Sequence, residues 1–72
     1  MRINNELFLN EEIYSVGSIR GAVEAFEGLC KIVLRQESGY IICEFSDCVE
    51  DLYLTMREFE NYLIGYMKQN GY

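Results

Sequence analysis

Histidine, tryptophan and proline are all absent from these 72 residues, and basic side chains are scarce, six against twelve acidic ones. Without histidine the chain lacks the commonest general base and a leading metal ligand, so most hydrolytic and zinc chemistry loses its usual residues. No apolar run approaches the ~18 residues that a membrane helix needs. The first residues, Met1-Arg2-Ile3-Asn4-Asn5-Glu6, contain no apolar signal-peptide segment. These absences argue for a cytoplasmic, non-enzymatic chain. The formal charge is −6, and Arg2, Arg20, Lys31, Arg35, Arg57 and Lys68 are scattered rather than clustered. Binding to nucleic acid or to an anionic membrane needs a concentrated basic surface, so neither is expected. A basic protein or peptide, by contrast, would be steered toward the chain.

What is present is an ordinary globular composition, half apolar and a quarter charged. The length fits a single domain over 1–72, with a thin core that buries only about 60% of the unfolded surface. Three cysteines leave at least one without a partner in the chain, and the spacings of Cys30, Cys43 and Cys48 match no redox or zinc motif. Cys30 and Cys43 are therefore expected as reduced core residues, and Cys48, in a polar stretch, as the reactive thiol.

Periodicity gives the elements. Ile3, Leu7 and Leu9 fall on alternating positions, with Asn4, Glu6, Phe8 and Asn10 between them, as in a half-buried strand, and Asn10-Glu11-Glu12 breaks the pattern. Ser15 is a candidate N-cap for an amphipathic helix of three to four turns carrying Val16, Ile19, Ala22, Val23 and Phe26, with Gly28 as its stop. Cys30 to Arg35 and Tyr40 to Phe45 alternate again around Gln36-Glu37-Ser38-Gly39, which reads as a hairpin. Leu52, Met56, Phe59, Leu63 and Met67 form one helical stripe, ended by Asn70-Gly71. Its start lies either in the Asp47–Glu50 region or at a Thr55–Glu58 capping box.

The order β-α-β-β-α predicts an α+β two-layer sandwich. Its three-stranded sheet has order 1-3-2 and both helices on one face, a ferredoxin-like fold without its last strand. Two surfaces follow. The first strand, Arg2 to Asn10, would be an unpaired edge open to a partner strand or covered by the tail Gln69 to Tyr72. The face without helices would display Phe8, Val33, Tyr40 and Ile42 among Lys31, Arg35, Glu6 and Glu44, an apolar patch of the kind that marks interfaces. Six tyrosines fit that reading, since tyrosine supplies contact area at low entropy cost. No catalytic residue emerges: Glu11-Glu12 and Glu50-Asp51 are neighbours on turns, Ser15 and Ser18 have no base, and Gly17 and Gly21 lack a phosphate-binding fingerprint. No cofactor site is readable.

Glu12-Ile13-Tyr14-Ser15, then Ile19, Ala22 and Phe26, the two hairpin strands, and Glu58-Phe59-Glu60-Asn61-Tyr62-Leu63-Ile64 resemble the HxsD family of small His-Xaa-Ser system proteins. The resemblance runs from about Leu7 to Lys68, with Phe59 and Asn61 on the family's F-x-N stretch. It departs at Tyr66-Met67-Lys68, where a Leu-Arg ending would stand. What it implies is a non-catalytic accessory in peptide maturation, acting beside radical SAM proteins and a precursor peptide with His-Xaa-Ser repeats. The radical SAM cluster motif C-x-x-x-C-x-x-C does not occur in this chain. The alternative is a self-associating structural subunit, a homodimer through the sheet face or the first-strand edge.

Overall fold

The computed structural model describes residues 1–69. The elements are β1 (Arg2–Ile3), β2 (Glu6–Asn10), α1 (Val16–Ala25), β3 (Lys31–Glu37), β4 (Tyr40–Ser46) and α2 (Leu52–Gln69). The fold is α+β, with one antiparallel sheet of order β1-β2-β4-β3 and two helices. The three longer strands keep the expected arrangement, with the last of them in the middle. The sheet nevertheless has four strands rather than three, because Arg2–Ile3 folds back on β2.

That fold-back overturns the expected open edge. Asn4 adopts φ 55, a left-handed conformation that asparagine tolerates, and so closes a tight turn. The Phe8 N–H then donates to the Met1 carbonyl at 2.7 Å, and the Met1 amino group donates to the Phe8 carbonyl at 3.1 Å. The edge of β2 is thereby paired from Glu6 to Phe8. A covering role for the tail beyond Gln69, like the expected Asn70-Gly71 helix stop, lies outside the described residues.

The hairpin of β3 and β4 turns on two residues, Ser38 at φ 49 and Gly39 at φ 82. Positive φ at both positions matches the right-handed twist of the strands. Ser15 caps α1, its hydroxyl accepting from the Ser18 N–H at 3.1 Å. The helix ends at Ala25, one or two residues earlier than expected, because the Phe26 carbonyl takes the N–H groups of Leu29 and Cys30 in a tight turn. Gly28 therefore does not act as a left-handed stop. Neither expected start of α2 is right. Asp51 caps it, accepting from the Leu54 N–H at 3.0 Å, while buried Thr55 donates to the Asp51 carbonyl from inside the helix.

The core lies between the helices and one sheet face. Leu7, Leu9, Ile41, Cys43 and Phe45 meet Ile19, Ala22, Phe26, Met56, Phe59 and Leu63. Phe59 stands at the centre, edge-to-face with Phe26 at 5.4 Å and with Phe45 at 5.3 Å.

The cysteines depart most from expectation: Cys30 and Cys48 form a disulfide and only Cys43 is free. The hairpin register explains the meeting. Lys31 pairs with Ser46, so the residue before Lys31 lies beside the residues after Ser46. Asp47 at φ 51 turns the chain and brings Cys48 opposite Cys30, with their Cα atoms 4.1 Å apart. Val49 N–H also donates to the Leu29 carbonyl at 2.8 Å, a backbone bond next to the covalent one. The expectations of a reduced Cys30 and a reactive Cys48 are thus corrected, while Cys43 is the free, buried cysteine expected.

Candidate partner-binding surface

The face away from the helices is built by strand alternation. Position by position, Glu6 lies opposite Glu44 and Glu44 opposite Val33; Phe8 lies opposite Ile42 and Ile42 opposite Arg35; Asn10 lies opposite Tyr40 and Tyr40 opposite Glu37. Ile3, opposite Glu6, extends the same face onto β1. Among the described residues no helix covers this side.

Five of the six residues expected to bind a partner are on this face and exposed, or partly so: Phe8, Lys31, Val33, Arg35 and Tyr40. The Phe8 and Tyr40 rings form a T-shaped pair with centroids 6.2 Å apart, an arrangement aromatic side chains favour. Val33 keeps 47% and Tyr40 39% of its surface in solvent. Ile42 departs from expectation, for it is only 2% exposed although it is on the uncovered side.

Its cover is explained by Arg35, the residue directly opposite it on β3. The Arg35 guanidinium reaches diagonally across β4 to Glu6 at 2.7 Å and also donates to Glu37 at 2.6 Å. Its aliphatic stem is thereby laid over the sheet, the way arginine commonly shields apolar surface. The hydrogen bonds to Glu6 and Glu37 hold the guanidinium still more firmly protonated than usual. Arg35 is therefore part of the face rather than a free cation, and its bridge separates Val33 from the Phe8–Tyr40 pair. The apolar patch is smaller and more divided than alternation alone implies. An arginine is long enough to reach over the intervening β4, and glutamates at 6 and 37 around an arginine at 35 were the bridge's only sequence trace.

The residues that carry the family resemblance lie elsewhere. Ala22, Phe26 and Phe59 are core, and Tyr14 packs at the core margin. Asn61 is exposed on α2. The sequence reading missed two aromatic features: Arg2 stacks 4.1 Å from the Tyr53 ring centre, and Tyr62 stands edge-on to Phe26 at 5.7 Å on the outer side of the helices. Gly21 faces the Tyr66 ring so closely that an added Cβ would sit 2.9 Å from it.

The arrangement offers little to chemistry. The Ser15 hydroxyl donates to Ser18 at 2.8 Å within the helix cap, Glu11 accepts from Gln36, and Asp51 is a cap. Among the described residues no group of His, Cys, Asp or Glu side chains is placed to hold a metal ion, and no helix is long and apolar enough to cross a membrane. Burial pushes the Cys43 thiol up to about 12, far from the thiolate that nucleophilic work needs. Alkylation checks the thiols directly. Iodoacetamide at pH 8 should label none of the three cysteines in the native chain, one in unreduced denaturant and all three after reduction. Native labelling at Cys48 would mean that the disulfide is absent.

Compared with protein-family models, with curated proteins and with solved structures, the chain matches none of them.

Proposed function

We propose that this chain is a non-catalytic adaptor that binds another protein or peptide through its uncovered sheet face. One observation carries the reading: both helices pack on one side, which leaves Phe8, Val33 and Tyr40 on the other with no helix over them among the described residues. Apolar and aromatic side chains rimmed by Lys31, Glu44 and the Arg35–Glu6 bridge have the composition of a small interface. The HxsD resemblance supplies the class of partner, a precursor peptide with His-Xaa-Ser repeats or the radical SAM enzyme that modifies it. The ferredoxin-like reading, a split β-α-β unit short of one strand, is supported by β4 lying between β2 and β3. The negative charge of the chain favours a basic partner, and a cytoplasmic location belongs to the same proposal.

The test is a titration of the chain with a synthetic His-Xaa-Ser repeat peptide and with the radical SAM protein. Val33→Lys with Tyr40→Lys should weaken binding at least about tenfold, since central aromatic anchors typically carry more than 1 kcal/mol each. Both positions are exposed, so the circular dichroism spectrum should not change. Ile42 is unsuitable for this test because a charge there would enter a buried site. Undiminished binding by the double variant would remove the face from the interface.

A further inference from the structure

β3 is paired along its whole length with β4, and among the described residues nothing pairs its other side. The two-residue turn makes Glu37 and Tyr40 the closing hydrogen-bonded pair, so the odd residues of β3 turn their backbone groups toward β4. The same alternation has Phe45 donating to Asn5 on the far side of β4. Ile32, Leu34 and Gln36 therefore direct their N–H and C=O groups outward. The register with β4 is unbroken and the chain has no proline, so a bulge and a proline, two usual guards of an edge, are both missing. Ile32 and Leu34 remain only half-buried beside this edge.

We propose that a second copy of this chain occupies the edge, β3 against β3, antiparallel about a two-fold axis at Leu34, joining two four-stranded sheets into one. Charge and paired length together select the register. Centred on Leu34, Lys31 lies opposite Glu37 of the second copy, and this attraction occurs twice. Centred on Val33, Lys31 would oppose Arg35, and centred on Arg35 two guanidinium groups would meet. Both place like charges face to face, which is destabilising, and a two-fold at Gln36, which sets Arg35 opposite Glu37, pairs only three residues of β3 rather than all seven. The Leu34 register also pairs Ile32 with Gln36 and Leu34 with itself, the residues whose backbone groups point outward. A two-fold axis perpendicular to the sheet keeps all helices on one side. It further places the Arg20 end of the α1–β3 groove, near Leu34 and Gln36, beside the Glu27 end of the other, near Lys31 and Ile32. An extended peptide of another protein could use the same backbone groups, but nothing on this edge specifies its side chains. The backbone pairing uses the sheet edge, while the side chains that set its register lie on the uncovered face, so association is read from mass and cross-linking and the adaptor reading from peptide titration.

Sedimentation equilibrium over micromolar to millimolar concentrations, with cross-linking of cysteine variants, tests the register. The wild-type mass should rise from one chain to two. Leu34→Cys should cross-link to its own copy on mild oxidation, because an antiparallel hydrogen-bonded pair sets its Cα atoms about 5.5 Å apart, within disulfide range. Val33→Cys, more exposed but opposite Arg35, should not. Lys31→Glu should weaken the dimer about tenfold, two like-charge contacts replacing two attractions, and adding Glu37→Lys should restore it. A mass of one chain at every concentration, or cross-linking of Val33→Cys as readily as Leu34→Cys, would overturn the proposal.

Discussion

Phe59→Ala should destabilise the domain by about 3–5 kcal/mol, the range for deleting a fully buried phenylalanine. Phe59 has no exposed surface and joins the layers, its ring edge-to-face with Phe26 of the α1 end and with Phe45 of β4. Truncation removes both aromatic pairs and opens a cavity that Ile19, Met56 and Leu63 cannot close without leaving their own sites. A chain of this size is stable by only about 4–11 kcal/mol, so one substitution consumes a large share. Urea denaturation should show the midpoint falling by about a quarter or more. Phe59→Leu, which keeps most of the volume, should recover more than half of the loss. A midpoint within 10% of wild type for Phe59→Ala would mean that the two layers are not joined at this ring.

The same ring shows what the sequence could convey. Phe59 was legible because Met56, Phe59 and Leu63 repeat at helical spacing, and burial of that stripe is the cheapest way to remove it from water. Ser15 and the Ser38-Gly39 turn were legible because cap and turn geometry depend on one or two local side chains. Arg2–Ile3 was not, since two residues carry no period and their pairing is decided by whether Asn4 turns. Nor was the cover over Ile42: alternation assigns a residue to a face, but Arg35 bridging to Glu6 depends on a register across two neighbouring strands. Alternation therefore put Phe8, Val33 and Tyr40 on the side of the sheet where they stand, and missed that Ile42 is covered there. Which strand edge remained open was read at the wrong end of the sheet, because the opening depended on that two-residue fold-back.

The disulfide was the least legible feature and gives the other large prediction. Cleaving Cys30–Cys48 should cost about 3 kcal/mol, because the bond closes a loop of 18 residues in the unfolded chain. In a domain of this size that corresponds to a fall in Tm of roughly 12–24 °C. On the chain-entropy account the loss arises in the unfolded state, so the native structure should survive below the new Tm. Two observations support survival: the Val49 N–H still donates to the Leu29 carbonyl, and Cys30 remains a buried apolar side chain without its partner. Cys48→Ala, at a half-buried loop position, is the cleaner variant than any change at Cys30. Its thermal melt should match that of the wild type in dithiothreitol, and its near-ultraviolet spectrum at 20 °C should match the oxidised chain. A melt unaffected by reductant would show that the bond does not form in solution. Since such a bond persists in oxidising compartments and is lost in reducing ones, the chain would be well below its oxidised stability in the cytoplasm, where the adaptor reading places it. The melt of the reduced form is then the relevant stability there, and Phe59 and its aromatic neighbours must supply it.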